Sequence, residues 1–242
     1  MCALVHLTRM SLQVTDRLGV ADVMTLLNAV VGVVAMAAAV LGEVQLVAQL
    51  ILLAAVADGL DGIIARTRGG TPVGPYLDSM ADIVSFGTAP ALFVFVAAGD
   101  EWGFLDAAPL TDDFELFALA ASVAALFVVF SLVRTALYTV YVGEDETRPG
   151  IQNTLAASII AAAYLAGLTF VPGLLAATVV LSLLMVAPVP YPKLLARDAL
   201  VMGVIQMGAI AAPTALNRLF PRLLLAGALA YLLLAPWYYW SE

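Results

Sequence analysis

The sequence predicts an all-α, polytopic membrane helix bundle with about eight transmembrane helices. Of its 242 residues, 63% are hydrophobic, and the mean hydropathy is +1.03, which is far more apolar than a water-soluble domain needs. Apolar stretches of about 20 residues, the length that crosses a bilayer as a helix, follow one another along the chain. The connections between them are short and no internal repeat is visible. We therefore expect a single membrane domain over residues 1–242.

The first 20 residues are too polar to form a span. Arg9, Asp16 and Arg17 interrupt the apolar residues, and the small-residue cleavage site of a signal peptide is missing. We expect an interfacial helix over residues 1–20, followed by Asp22 as the cap of the first span. The predicted spans are Asp22–Leu41, Val44–Arg66, Gly74–Ala98, Phe114–Tyr141, Thr154–Phe170, Gly173–Val189, Arg197–Leu216 and Leu219–Trp240.

Basic residues predict the orientation of the bundle, because they are enriched on the cytoplasmic side. With eight spans, most of them fall on one side: Arg9, Arg17, Arg66, Arg68, Arg148, Lys193 and Arg197. The loop from Asp100 to Glu115 carries six acidic residues and falls on the other side. We expect both termini to be cytoplasmic. Arg218 and Arg222 fall outside and do not fit, and contact with lipid headgroups is the only explanation that the sequence offers.

The charge balance and the cysteine count exclude several classes of protein. The net charge is −8 with a single lysine, which indicates either acidic loops or a surface adapted to high salt; the second reading favours an archaeal host and an ether lipid. One cysteine, Cys2, excludes an internal disulfide framework. A zinc pattern, a Walker loop, a GxGxxG motif and a basic stripe for nucleic acid are all missing from the sequence.

Four aspartates stand out in the stretch DGLDGIIARTRGGTPVGPYLDSMAD. Asp58 and Asp61 are three residues apart, and Asp78 and Asp82 are four apart, so each pair lies on one face of a helix. The link between the helices contains Gly-Gly and Pro, which favours a turn and antiparallel neighbours. Four carboxylates in one place need cations, and oxygen ligands suit Mg²⁺, Mn²⁺ or Ca²⁺. Two such ions would hold a diphosphate and stabilise its leaving oxygen.

This stretch resembles the signature of the CDP-alcohol phosphotransferase family, D-x2-D-G-x2-A-R followed by G-x3-D-x3-D. All the positions are filled in order: Asp58, Asp61, Gly62, Ala65, Arg66, Gly74, Asp78 and Asp82. The flank LDSMADIVSFGTAPAL (Leu77–Leu92) is similar to the phosphatidylserine synthase branch of the family. The resemblance implies a homodimer embedded in the membrane, with two divalent cations, Mg or Mn, at the active site. We expect no nucleic-acid partner, because the sequence has no basic stripe.

The resemblance also implies roles for individual residues. It assigns all four aspartates to the metals and makes Asp82 the base that takes a proton from the incoming hydroxyl. It places Gly62 and Arg66 on the CDP moiety, and Thr71 matches a position where a small hydroxyl contacts the nucleotide. Without the resemblance, Gly62 is equally a packing glycine and Arg66 a basic anchor at the membrane edge.

Other polar residues near the same membrane edge are further candidates for substrate binding. Asp22, Thr25 and Asn28 lie near the start of the first span, and Asn28 either bonds a neighbouring backbone or touches the nucleotide. Arg134 lies about two turns from the end of the fourth span, where its guanidinium either reaches the headgroups or forks onto a substrate carboxylate. Ser85 lies on the face of Asp82 and either lines the pocket or bonds its own helix. Gln152 and Asn153, at the start of the fifth span, are on the same side.

The resemblance implies that a CDP-activated lipid donates its phosphatidyl or archaetidyl group to the hydroxyl of L-serine, with CMP released at the cytoplasmic face. A sister enzyme acting on glycerol phosphate or inositol phosphate would need a basic cluster, and only Arg68, Arg134 and Arg148 are available. A membrane prenyltransferase would need a second aspartate cluster on a later span. A cation carrier would more naturally place its carboxylates near the middle of the membrane.

Overall fold

The computed structural model describes residues 17–106, 113–141, 148–192 and 196–238, and they are helical almost throughout. The all-α prediction is confirmed. The predicted interfacial helix falls largely on residues 1–16, which lie outside the described ranges, as do Arg9 and Lys193. The helices of the described chain are α1 Val20–Val40, α2 Val44–Arg68, α3 Gly74–Trp102, α4 Phe114–Tyr141, α5 Asn153–Leu165, α6 Val171–Met185, α7 Ala196–Ala211 and α8 Ala215–Tyr238.

Five of these helices are long and apolar enough to cross a membrane: α1, α2, α3, α4 and, in α8, Ala215–Pro236. The other three are shorter than the spans expected from the sequence. α5 ends at Leu165 because Gly167 adopts a left-handed conformation with φ +98°, which closes a helix end. α6 is followed by Pro188 and Pro190, and α7 by Pro213, and proline cannot continue a helix.

The bundle interior is built from small side chains with a few large ones between them. Ala35, Ala48 and Ala54 are fully buried where α1 and α2 pack, and Phe86, Phe93 and Phe127 fill the space between α3 and its neighbours. Small residues let helix backbones approach closely, which is how helices associate in a bilayer. Many Val and Leu side chains face outward, as the surface of a membrane protein requires.

Two glutamine side chains tie α2 to α7. The amide of Gln49 donates to the carbonyl oxygen of Ile210 at 2.6 Å, and that of Gln206 donates to the carbonyl oxygen of Leu52 at 2.7 Å. Side-chain amides that bond a neighbouring helix stabilise membrane bundles. A two-residue antiparallel pairing, Arg148–Pro149 (β1) with Pro190–Tyr191 (β2), joins the segment before α5 to the segment after α6.

A π-helical segment, Ile83–Thr88, interrupts α3 one residue after Asp82. Its Ser85 packs on Gly32 of α1 and donates to the carbonyl oxygen of Asn28 at 2.9 Å. Its Gly87 packs on Ser131 of α4. A π-helical turn inside an α-helix is frequently found at a functional site. Here the segment fixes α3 between α1 and α4 at the level of the aspartates.

Gly32→Ala is expected to lower the free energy of unfolding by about 1 to 3 kcal/mol through overpacking. A Cβ atom at Gly32 would lie 2.5 Å from the Oγ of Ser85 and 2.8 Å from its Cα, so the backbone of α3 would have to move. Thermal unfolding of the detergent-solubilised protein measures the effect. Gly203→Ala is the matched control, because a Cβ there meets nothing within 4 Å. An unchanged midpoint for Gly32→Ala would contradict this packing.

The start of α8 has an unusual backbone. Leu216, Asn217 and Arg218 all have positive φ values, 48°, 57° and 62°, so the chain makes a left-handed turn before the regular helix. For residues other than glycine this conformation costs roughly 1 to 2 kcal/mol each. Among the described residues, no other non-glycine position has a positive φ.

Candidate active site

The site is built where α2 ends and α3 begins. α2 stops at Gly69, which has φ +87°, and α3 starts at Gly74 with a proline in its first turn. The short connection between them turns the chain back, so that α2 and α3 are antiparallel and both aspartate pairs lie at the same end of the bundle. This is the arrangement predicted from the spacing of the aspartates.

Three carboxylates meet at this end. One oxygen each of Asp58, Asp61 and Asp78 lies within 4.8 Å of the others, an arrangement that is able to hold a metal ion. Oxygen donors at such separations suit a hard divalent cation such as Mg²⁺ or Mn²⁺. Like charges this close need a cation or protons to offset their repulsion. We call Asp58, Asp61 and Asp78 the carboxylate cluster.

Asp82 lies beside the carboxylate cluster, one helical turn further along α3. It interacts electrostatically with all three of these aspartates and with Arg134. Its Oδ1 atom is buried and has no hydrogen-bond partner among the described residues. A buried polar atom without a partner in a native structure indicates a missing ligand, ion or water. Asp82 is therefore close enough to interact with both the carboxylate cluster and the arginine.

Threonines from two other helices orient the carboxylate cluster. The hydroxyl of Thr25 in α1 donates to Asp61 at 2.8 Å, and the hydroxyl of Thr154 in α5 donates to Asp58 at 3.4 Å. Hydrogen bonds to carboxylate oxygens of this kind fix metal ligands in place. The cluster therefore depends on four helices, although its acidic residues come from only two.

Asp22 and Thr71 are joined by a hydrogen bond of 2.8 Å between the start of α1 and the loop after α2. Asp22 also accepts from the backbone N–H of Gly19 at 2.7 Å, and Thr71 accepts from the N–H of Gly74 at 3.1 Å. Asp22 was expected to cap the first span; it does so from the first turn of α1, through its bond to Gly19, which is the N-cap residue itself. The structure therefore places both residues at the same membrane end as the carboxylate cluster.

Arg66 is exposed and lies over Gly62, one turn back along α2. A Cβ atom at Gly62 would lie 3.3 Å from the Nη1 atom of Arg66, and the guanidinium also interacts with Asp61. Because Gly62 has no side chain, the Arg66 guanidinium lies directly over the backbone beside Asp61. An anionic ligand bound at the carboxylate cluster would therefore also be close to this guanidinium.

Arg134 is buried in α4, where its guanidinium lies 4.9 Å from the ring centre of Tyr138. Asn153, at the start of α5, is fully buried close to it and donates to the hydroxyl of Thr135 at 2.7 Å. The Oδ1 of Asn153 and the Oγ of Ser131 are buried without hydrogen-bond partners among the described residues. Four buried polar residues therefore lie near one another inside the bundle, and we call this group the arginine pocket: Ser131, Arg134, Thr135 and Asn153.

Asn28 of α1 is fully buried, and neither its Nδ2 nor its Oδ1 has a hydrogen-bond partner among the described residues. An unsatisfied amide in a membrane interior is costly, so a ligand that bonds it would gain affinity. Ser85 bonds the backbone of Asn28 rather than its side chain. Ser85 thus joins two helices, and its contact with a substrate stays a prediction.

An apolar cavity of about 750 Å³ opens next to Asp58 between α5, α7 and α8. Thr154, which bonds Asp58, and Ala55, three residues before Asp58, both line it. Alanine and leucine are the commonest side chains in its walls, and the polar ones are Gln152, Thr154, Ser158, Tyr191, Asp198, Gln206 and Tyr231. A long apolar group attached to a ligand of the carboxylate cluster would fit in this cavity.

The chain matches one family model over nearly its whole length. The model is described as CDP-alcohol phosphatidyltransferase and covers residues 18–238. The chain belongs to this family. Membership in the CDP-alcohol phosphatidyltransferase family makes the chain a membrane-embedded transferase of phospholipid biosynthesis, and the resemblance inferred from the aspartate stretch is confirmed.

Three relatives in the family are similar over different lengths. An archaetidylserine synthase of Methanothermobacter thermautotrophicus is 29% identical over 186 residues, covering 75% of this chain and 72% of the relative. CDP-diacylglycerol–serine O-phosphatidyltransferases are 33% identical over 92 residues in Helicobacter pylori and 38% identical over 80 residues in Mycobacterium bovis. The Helicobacter match covers 38% of this chain and 33% of the relative. The Mycobacterium match covers 33% of this chain and 28% of the relative.

Sequence reasoning missed part of the site that the structure assembles in this family member. Thr154, Ser131 and Thr135 were not singled out, although Ser131 and Thr135 lie three before and one after Arg134. A hydroxyl within one helical turn of a buried arginine was the signal available. Thr154 follows Asn153 directly, but only the packing of α5 on α2 shows that it faces Asp58.

Proposed function

We propose that this protein transfers a phosphatidyl-type group from a CDP-activated lipid to the hydroxyl of L-serine and releases CMP. The group that we propose is archaetidyl. The observation that carries the proposal is the meeting of three aspartate oxygens within 4.8 Å beside a fourth aspartate and a buried arginine. The names of the relatives support serine as the acceptor. The negative net charge and the archaeal relative support an ether lipid.

The residues of the site fit a pair of divalent cations, Mg or Mn. Asp58, Asp61, Asp78 and the unpartnered oxygen of Asp82 are the ligands that we propose. When bound, such ions offset the charge of a diphosphate and of the departing CMP. Thr25 and Thr154 would keep the carboxylates aimed at them.

The chain's own residues hold the donor on both sides of the carboxylate cluster. Arg66 forks onto a phosphate of the CDP group, and Gly62 leaves room for the nucleotide against the backbone. Asn28, Asp22 and Thr71 line the nucleotide side, where the amide of Asn28 has both atoms available. The cavity beside Asp58 takes a lipid chain.

The arginine pocket receives the acceptor. Arg134 binds the serine carboxylate, and the free Oδ1 of Asn153 accepts from the serine ammonium group. Asp82 then takes the proton of the serine hydroxyl. The hydroxyl oxygen forms a bond to the lipid-linked phosphorus, and the bond from that phosphorus to CMP breaks. Asp82 suits this role because it interacts electrostatically with both Arg134 and the carboxylate cluster.

The proposal includes the setting of the enzyme in the membrane. The site end of the bundle and both termini face the cytoplasm, since Arg17, Arg66 and Arg68 are at that end. Eight crossings follow if the three shorter helices also span the bilayer. A homodimer is part of the proposal and rests on the resemblance to the family.

An acceptor panel tests the function. Purified protein in detergent receives a CDP-activated lipid with Mg²⁺ or Mn²⁺ and, separately, L-serine, glycerol phosphate, inositol phosphate or inositol. We expect serine to give CMP and a serine-containing lipid at least tenfold faster than any other acceptor, and a chelator to stop the reaction. Parallel reactions with diacyl and dialkyl CDP-lipids compare the two lipid classes.

The outcomes of this panel test the identity of the acceptor, the divalent ions and the lipid class independently. Turnover with glycerol phosphate but not with serine would refute the acceptor and leave the carboxylate cluster intact. Unchanged activity in the presence of a chelator would refute the divalent ions. A diacyl donor used ten times faster than the dialkyl donor would refute the archaetidyl preference.

A further inference from the structure

Two arginines lie at the end of the bundle opposite to the carboxylate cluster. Thr154, the second residue of α5, lies beside Asp58, and the helix ends at Leu165, about 16 Å away along its axis. Arg218 and Arg222 of α8 contact that far end. Their position runs against the distribution of the other basic residues, so it needs an explanation of its own.

Both guanidiniums bond the end of α5 and retain unused donors. Nη1 of Arg218 donates to the carbonyl oxygen of Leu165 at 3.3 Å, and Nε of Arg222 donates to that of Ala166 at 3.5 Å. A guanidinium has five N–H donors, so most stay available. No carboxylate of the described residues forms a salt bridge with either arginine, although Asp100 and Arg218 each interact electrostatically with Tyr164.

The backbone is strained to place Arg218 there. The left-handed turn at Leu216, Asn217 and Arg218 precedes the regular part of α8. On the facing side, Gly167 has φ +98°, and a Cβ atom there would lie 3.3 Å from Nη1 of Arg218. Strained backbone persists where the surroundings require it, often at a ligand site.

The two arginines open onto a cavity of about 570 Å³. Along α8 its lining follows one stripe at helical spacing: Arg218, Arg222, Leu225, Ala226 and Leu229. The cationic groups are at the membrane edge and the apolar ones lie deeper. A phospholipid has the same order, with a phosphate at the surface and hydrocarbon below it.

We propose that this cavity is a phospholipid site on the membrane face opposite to the active site. Arg218 and Arg222 bind the phosphate, and one lipid chain lies along Leu225, Ala226 and Leu229. Apolar contact along the stripe favours a lipid over free phosphate, whose charge the arginines alone would recognise. The site holds a structural or regulatory lipid and is separate from the donor lipid near Asp58.

Native mass spectrometry of the full-length protein tests the site. The protein is titrated with phosphatidylglycerol, with a neutral diacylglycerol and with inorganic phosphate, all with a chelator present so that the carboxylate cluster is the same in every sample. We expect the combined Arg218→Gln and Arg222→Gln variant to bind phosphatidylglycerol about tenfold more weakly. Arg68→Gln is the control, because it removes an exposed arginine at the other end of the bundle.

A second variant keeps both arginines and blocks only the apolar stripe. Ala226→Trp is expected to weaken phosphatidylglycerol binding by a similar factor and to leave inorganic phosphate unaffected, which also guards against a double variant that fails to fold. Wild-type phosphatidylglycerol binding by both variants overturns the proposal. Phosphate binding as tight as that of phosphatidylglycerol, unchanged by Ala226→Trp, replaces the lipid with a free anion.

Discussion

Asp82→Asn is expected to slow the transfer of the lipid group to serine by about 10² to 10⁴-fold while leaving the protein folded. The asparagine keeps the shape of the side chain but cannot accept the proton of the serine hydroxyl. Asp82 interacts electrostatically with both Arg134 and the carboxylate cluster, and its buried Oδ1 lacks a hydrogen-bond partner among the described residues. CMP release at saturating CDP-lipid measures the rate.

Asp106→Asn is the matched control for this change. It removes the same charge from an exposed loop at the far end of the bundle, and we expect it to retain the wild-type rate. The thermal unfolding midpoint of both variants checks that the fold is intact. An Asp82→Asn protein that works within tenfold of the wild-type rate would rule out Asp82 as the base.

Arg134→Gln is expected to raise the KM for serine by about 10 to 100-fold, the cost of losing a hydrogen-bonded charge pair with the serine carboxylate. The KM for the CDP-lipid should stay within about threefold, because Arg134 is not among the residues that we propose hold the donor. Arg134→Lys keeps the charge but lacks the planar fork, so an intermediate KM is expected. Initial rates over a range of serine concentrations give these values.

A second acceptor distinguishes binding of the serine carboxylate by Arg134 from a merely structural role of this residue. Ethanolamine has the hydroxyl and ammonium groups of serine but lacks the carboxylate, so the wild-type enzyme should prefer serine and the Arg134→Gln enzyme should lose that preference. If the variant loses activity equally with both acceptors, Arg134 supports the fold or Asp82 and does not bind the carboxylate.

The part of the site that comes from neighbouring helices was predictable from the sequence. Spacings of three and four, with a Gly-Pro link between the pairs, require Asp58, Asp61 and Asp78 to meet, because helix periodicity and a short link leave little freedom. The contribution of Thr154 was not predictable in this way. It depends on how α5 packs on α2, and that packing joins residues 96 positions apart.

Helix ends were predicted less well, because some of them depend on contacts with residues that are distant in the sequence. The fifth span was extended to Phe170 because the residues stay apolar, yet Gly167 turns the chain and Arg218 and Arg222 cap the exposed carbonyl groups. Hydrophobicity alone does not distinguish a helix from an apolar loop held by distant side chains. The same two arginines line the cavity proposed above as a phospholipid site.

The π-helical segment Ile83–Thr88 sets the rotation of the second half of α3 relative to the first half. It accommodates an extra residue compared with an α-helical turn, so that Asp82 faces the carboxylate cluster while Gly87 faces Ser131. Removing one residue here would turn everything downstream by about 100° relative to the acidic half. The length of this stretch is therefore as strongly constrained as its composition, and alignments that open a gap inside it would pair residues that point in different directions.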